Sequence, residues 1–299
     1  MKRYGQKSNS IFSTCALTIC AIAILYSKSI TNQKNIIISE SIPKKMRAGS
    51  FFTLKKSELE NYSVHVGTQL LTSLDDKKVY LGAVSLDTPQ WTQVWGWKKS
   101  ENNELEWFGT WIEVEKPPLS VAKKLRIPAS VIEQLDSADS NLVAFESKKM
   151  QMALSRTDGV LKAQCYQKPI KSLIVSQFAS PRTLPSGFSY YHTGVDMRAA
   201  LGTPIYASGD GEVVFAEKLT VPGNTVIVYH GGGLYSQYKH LSKIEVQPGD
   251  KIIRGHKLGL SGATGRVEAP HLHWEFYWKG NPTDPLQLLQ VLAPICDQS

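Results

Sequence analysis

Along this 299-residue chain the apolar positions fall into distinct textures. An apolar run from Ile11 to Tyr26 follows Lys2, Arg3 and Lys7 and gives way to polar Ser27-Lys28-Ser29. Cations followed by a short apolar stretch at an N-terminus are the order of an export signal, so residues 1–29 are expected to be a signal peptide or an N-terminal membrane anchor. Ser27-x-Ser29 supplies the small residues that a signal peptidase needs. Retained instead, the sixteen residues of the run would form an anchor somewhat short of the usual ~20. Thr14 and Ile19, where a lipid-attachment site would have a small residue before its cysteine, argue against a lipid anchor at Cys15 or Cys20. Residues 30–47 are polar and Lys-rich without sustained periodicity, as in a tether.

From Ser50 the period shortens to two. Ser63-Val64-His65-Val66 and the run Val79 to Val84 are β-branched or alternating, with the turn cluster Asp75-Asp76 between them, and both are expected to be strands. Trp91 to Glu115 holds five of the seven tryptophans, and Ser100-Glu101-Asn102-Asn103 divides it into the two arms of a hairpin. Such an indole density would suit a glycan-stacking surface. Aromatic residues are also common occupants of paired strands, and Trp95, Trp97, Trp107 and Trp111 are expected to alternate onto a sandwich core and its cross-strand neighbours. His65 has no partner at ligand spacing and is expected to be an ordinary strand residue.

Pro117-Pro118 closes this unit. Between Ala129 and Ser155 the period lengthens to that of a helix, with Leu142, Phe145 and Met152 on one side. Glycine-rich strand patterns then return, including Thr203 to Ala207, Glu212 to Ala216 and Thr225 to His230. The expected organisation is a mainly β protein: a small β-sandwich-like domain over 48–125, a helical connector over 126–165, a β-sheet domain over 166–290 and a C-terminal tail over 291–299.

Charge changes little in this picture. The formal net charge is +8, but the first 47 residues carry eight cations against Glu40 alone, which leaves the body nearly neutral and gives no support to a nucleic-acid partner. Outside the leader the cysteines are Cys165 and Cys296, at either end of the C-terminal domain. In an oxidising compartment they could be bonded; otherwise they are two unpaired thiols.

Six of the seven histidines lie in the C-terminal domain, in the clusters His192-x-x-x-Asp196, Tyr238-x-His240-Leu241 and His271-x-His273-Trp274-Glu275, with His230 at a strand end and His256 in a turn. Residues two or four apart share a strand face, so His271 can converge with His273 and His192 with Asp196. Two imidazoles and a carboxylate suit catalytic Zn²⁺, whose fourth position stays open. Spacing alone does not choose between His271 and His273. No His-Glu-x-x-His helix is present, so the glutamate base of that metalloprotease class is missing. Glu275 shares the His273 face and could act as a base, although an orienting or salt-bridging role is the reading preferred.

Together with Gly202-Thr-Pro-Ile-Tyr-Ala207, Gly209-Asp-Gly211, Gly223-Asn-Thr-Val226, His230-Gly-Gly-Gly233, Gly255-His-Lys-Leu-Gly259 and Gly262-Ala-Thr-Gly265, these clusters resemble the lysostaphin-like or LytM-type zinc metallopeptidases over residues 166 to 286. The resemblance implies an antiparallel β-sheet domain with a catalytic groove and one catalytic Zn²⁺ on His192, Asp196 and His273. His240 and His271 would be its catalytic, non-ligand histidines. It further implies an exported enzyme of the Gram-negative periplasm or cell envelope, attached to the inner membrane if the leader is uncleaved. Its substrate would be peptidoglycan and its target the D-Ala to diaminopimelate cross-link, with a Gly-Gly bond as the variant. A rival reading is a non-catalytic LytM-type domain that activates a partner amidase. A third makes the first domain an inhibitory or targeting module with a regulatory protein as its partner.

Overall fold

The computed structural model describes residues 42–296 apart from 60, 75–78, 138 and 163. The expected signal peptide or anchor at 1–29, most of the tether and the turn Asp75-Asp76 lie outside the described residues. Among those described, no helix is long and apolar enough to cross a membrane.

Among the described residues the N-terminal half contains two sheets. One has the order β1-β8-β7-β3-β4, built from β1 (Lys45–Arg47), β3 (Ser63–Val66), β4 (Gln69–Leu70), β7 (Trp91–Lys99) and β8 (Leu105–Glu115); the other, β2-β6-β5, is built from β2 (Phe51–Lys55), β5 (Thr72–Ser73) and β6 (Val79–Ala83). The expected strands at 63–66 and 79–84 and the 91–115 hairpin are all present. The tether expected to reach residue 47 ends earlier, because β1 pairs in parallel with β8, Lys45 opposite Glu113. Buried Ile42, Met46 and Ala48 anchor this segment, and Lys45 meets Glu115 at 2.7 Å at the surface.

The hairpin turns its tryptophans the other way from the expected sandwich core. Thr92, Val94, Phe108, Ile112 and Val114 are buried, whereas Trp91, Trp107 and Trp111 are 58%, 49% and 52% exposed and Trp95 and Trp97 are half-buried. Both alternating sets carry large apolar residues, so the period identifies the strands without choosing the buried face. Contact with the sheet's neighbours makes that choice: Phe108 lies over Gly96, where an added Cβ would come within 2.4 Å of its ring. The outward indoles form a row in which His65 stacks on Trp95 (centroids 4.3 Å apart) and Trp95 on Trp107 (5.9 Å).

After the hairpin, β9 (Lys123–Lys124) leads to two helices, α1 (Ala129–Asp136) and α2 (Ser140–Ala153). Asp139 caps α2 by accepting from the Asn141 N–H at 2.8 Å. The expected apolar side of α2 is not the one that docks: Leu142, Phe145 and Met152 are exposed. The helix is held through polar contacts, Lys149 to Glu217 at 2.5 Å and the Thr220 N–H to Glu146 at 2.8 Å, with Met150, Ala153 and Leu154 beside Phe215 and Leu219.

The C-terminal half is organised by an eight-stranded sheet in the order β10-β13-β21-β17-β16-β15-β19, with β22 against β21. Its strands are β10 (Ile174–Ser176), β13 (Val195–Arg198), β15 (Gly211–Leu219), β16 (Gly223–Gly231), β17 (Leu234–Leu241), β19 (Lys251–Ile252), β21 (His271–Trp278) and β22 (Asn281–Thr283). Two small sheets flank it: β14 (Pro204–Tyr206), β20 (Lys257–Leu260) and β18 (Lys243–Ile244) form one, while β11 (Pro181–Thr183) lies between β12 (Ser189–Tyr191) and β9 in the other. The expected tail at 291–299 is helical as far as 296, because α3 (Pro285–Cys296) buries Leu288 and Leu292. The Asp284 carboxylate caps α3 by accepting from the Leu286 N–H at 2.9 Å. Cys165 and Cys296 are disulfide-bonded, with Cα atoms 5.2 Å apart.

One hydrophobic core spans both halves, from Ile42 to Leu292. Phe51 stands edge-on to Trp278 with centroids 6.0 Å apart, and the Asp284 N–H donates to the Gly49 carbonyl at 2.9 Å. A second junction lies beside the histidine clusters. There β9 runs parallel to β11, with Lys123 opposite Arg182, and the Arg126 N–H donates to Glu268.

Candidate active site

The antiparallel register of β13 and β21 places Asp196 directly opposite His273 and Arg198 opposite His271, and β17 places Lys239 on the other flank of His273. Alternation along β21 sends His271, His273 and Glu275 to one face, while Leu272, Trp274 and Phe276 are buried in the core. His192 reaches the same point from the turn between β12 and β13.

Three acceptor atoms meet there. His192 Nε2 is 3.1 Å from Asp196 Oδ1 and 2.9 Å from His273 Nδ1, which is itself 2.7 Å from Asp196 Oδ1. The other nitrogen of each imidazole is committed elsewhere: His192 Nδ1 to the Gln177 carbonyl at 2.8 Å, His273 Nε2 to Glu275 Oε1 at 2.8 Å. A nitrogen that donates to a carbonyl or carboxylate carries the proton of the neutral ring and leaves the other as a lone pair. With those tautomers His192 Nε2, His273 Nδ1 and Asp196 Oδ1 face one another without a donor among them, an arrangement suited to a cation at their centre. All three side chains are buried and could hold a metal ion together. Two imidazoles and one carboxylate match the three-ligand set of catalytic zinc.

The second oxygen of Asp196 is fixed by Arg182, whose Nη2 donates to Oδ2 at 2.5 Å and to Ser176 Oγ at 2.8 Å. Burial alone would raise the Asp196 carboxyl, but the close approach of His192, His271 and His273 outweighs it and holds the group far below the usual carboxylate range. Burial lowers His192 to about 4, so its ring is neutral at pH 7. His273 is also opposed by burial, yet Glu275 and Asp196 outweigh this and raise it.

The remaining two histidines line the same point. His271 Nε2 is 3.5 Å from Asp196 Oδ1, and the His240 and His271 rings are 5.0 Å apart. Each directs Nδ1 to a backbone carbonyl, His240 to Thr264 at 2.9 Å and His271 to Ala269 at 2.8 Å, which leaves Nε2 as the basic atom of both. His240 has φ +63, a conformation that few side chains adopt, and burial holds its ring well below the ordinary histidine range. All five residues singled out from the sequence are brought together.

Glu275 is fully buried, with His273, Thr193 (Oγ1 to Oε1, 2.5 Å) and Lys239 (Nζ to Oε2, 2.5 Å) around it. Fully enclosed by these partners, it fits the orienting role rather than that of a base. Arg182, Lys239 and Thr193 carry no sequence signal of their own as site residues, because their contacts depend on cross-strand register. His230 and His256 lie outside the cluster. His230 is buried, with Nδ1 2.7 Å from the Asp210 carbonyl and Nε2 2.9 Å from Ser236 Oγ.

Comparison with known proteins finds that residues 190–285 match the family described as Peptidase family M23. Among curated relatives, peptidoglycan DD-endopeptidase ShyA of Vibrio cholerae is 46% identical over 96 residues, which is 32% of this chain and 22% of that protein. Its ShyB counterpart in Vibrio cholerae is 37% identical over 115 residues (38% and 27%). DD-carboxypeptidase/endopeptidase Mpg of Neisseria meningitidis is 35% identical over 123 residues (40% and 28%). The matches thus span under a third of the length of these relatives. A crystal structure assigned to peptidase M23 from Pseudomonas aeruginosa covers 87% of this chain and all of its own at 21% identity and a TM-score of 0.59, so the fold it shares extends to the N-terminal half.

Proposed function

With residues 190–285 forming an M23 peptidase domain, we propose that the chain is a zinc-dependent endopeptidase of the bacterial cell envelope that hydrolyses peptide cross-links of peptidoglycan, the D-Ala to diaminopimelate bond in particular. The observation that carries this reading is the convergence of His192 Nε2, Asp196 Oδ1 and His273 Nδ1 with no donor among them, beside two further histidines. The names of the matched relatives support the substrate class.

His192, Asp196 and His273 would hold the ion. A zinc ion so held supplies Lewis-acid polarisation of a carbonyl and a water acidic enough to ionise near neutral pH. His240 and His271 do the proton work. With Nδ1 of each ring committed to a backbone carbonyl, each can take a proton at Nε2 and return it to the departing amine. Their Nδ1–H bonds to Thr264 and Ala269 hold the rings in that tautomer. Once protonated, the same Nε2–H can donate to the oxyanion that develops at the scissile carbon. Arg182 holds Asp196 in place throughout.

A domain that only activates a partner amidase would have no need of this set. Retention of all five residues therefore favours an enzyme. Purified peptidoglycan incubated with the protein, with and without a chelator, tests the reading: cross-linked D-Ala to diaminopimelate dimers should become monomers only when metal is present. Intact dimers after incubation with zinc-loaded protein would refute it.

A further inference from the structure

Glu275 and Lys239 form a buried ion pair that the proposed chemistry does not use. Glu275 is 0% exposed and Lys239 8%, and burying two charges together costs more than an apolar pair of the same volume unless their placement does something else. Their placement is specific. Lys239 lies opposite His273 in the β17–β21 register, and its Nζ sits 2.5 Å from Glu275 Oε2 as an ion pair rather than an aligned hydrogen bond. Glu275 Oε1 accepts from His273 Nε2 at 2.8 Å and from Thr193 Oγ1 at 2.5 Å.

One carboxylate thereby reaches both sides of the metal cluster. Through His273 it fixes the ring that presents Nδ1, and through Thr193 it holds the backbone next to His192. The turn lies close enough that a Cβ on Gly194 would come within 2.4 Å of the Trp274 carbonyl and 2.6 Å of Glu275 Cγ. Lys239 Nζ takes the other oxygen, 2.5 Å from Oε2, and so ties the carboxylate to the neighbouring strand β17.

We propose that Lys239 and Glu275 are positioning residues for the metal: the ion pair holds His273 with its Nδ1 lone pair aimed at the site, and Thr193 extends the brace to His192. This rests on the metal-site reading given above. The outer partners of metal-bound histidines commonly set metal affinity by about 10- to 100-fold.

The test is the zinc dissociation constant of the full chain, measured by competition with a chromophoric chelator, alongside the visible spectrum of the Co²⁺-loaded protein and the thermal midpoint of the metal-free protein. Glu275→Gln should weaken zinc binding about 10- to 100-fold and change the Co²⁺ bands. Lys239→Arg should bind zinc as the parent does. Lys239→Met with Glu275→Gln removes both charges, so it keeps its fold if either single variant does not, and it should lose affinity to the same degree. Affinity within twofold of the parent in a folded Glu275→Gln or double variant, with unchanged Co²⁺ bands, overturns the proposal. If the parent chain itself fails to bind zinc, the metal-site reading falls instead.

Discussion

Asp196 and His273 stand directly opposite each other on β13 and β21, their Oδ1 and Nδ1 atoms 2.7 Å apart. Cross-strand neighbours of this kind are fixed by the ladder itself, so two of the three candidate metal ligands need no loop to bring them together. Asp196→Asn retains the shape and removes the charge. It should weaken zinc binding by more than the ~100-fold upper range for orienting groups, as read by metal content after dialysis against a weak chelator.

His240 and His271 are expected to behave differently. His240→Ala and His271→Ala should each retain stoichiometric zinc while lowering kcat on cross-linked dimers by about 10²- to 10⁴-fold, the usual range for loss of an acid or base. Zinc content and turnover measured on the same preparations separate this outcome from loss of the metal.

Burial lowers His230 to about 4, against about 6.5 for an unfolded histidine. Above pH 6.5 the ring is neutral in both states and costs nothing. As pH falls from 6.5 towards 4 the unfolded chain takes up the proton and the folded one does not, so stability is lost across that window. The loss is on the order of 3 kcal/mol. Urea unfolding of metal-free protein at pH 7 and pH 4.5 should show a drop that is smaller by about this amount in His230→Gln.

The disulfide closes a loop between residues 131 positions apart. Replacing Cys165 and Cys296 together by serine should cost about 3 to 5 kcal/mol, seen as a lower urea midpoint in the variant that reducing agent does not lower further.

Gly194→Ala would press a methyl group against the Trp274 carbonyl. Because that contact is with backbone, relief must come from the His192–Asp196 turn. A destabilisation of about 1 to 3 kcal/mol should therefore be accompanied by weaker zinc binding, checked by thermal unfolding and metal titration on one sample.

Much of the candidate site was legible because its chemistry is local in sequence. His192-x-x-x-Asp196 and His271-x-His273 each place their members by strand geometry within a few residues. Arg182, Lys239 and Thr193 were not legible, since each acquires its role only from a partner on another strand or turn. The tryptophan hairpin shows the same limit in the fold: the period revealed β7 and β8, but Trp95 and Val94 are both apolar, and only the second sheet determines which is covered. In α2 the docking side carries Glu146 and Lys149, which no apolar periodicity marks, while Phe145 and Met152 are left outside.

The bond between Cys165 and Cys296 also alters the topology of the chain. Every residue described as part of the candidate site lies between those two positions, so the half that holds it is a covalent ring from which the N-terminal half hangs. A protease that nicked one loop of the ring would leave its two pieces joined, running together on a denaturing gel until a reductant parted them.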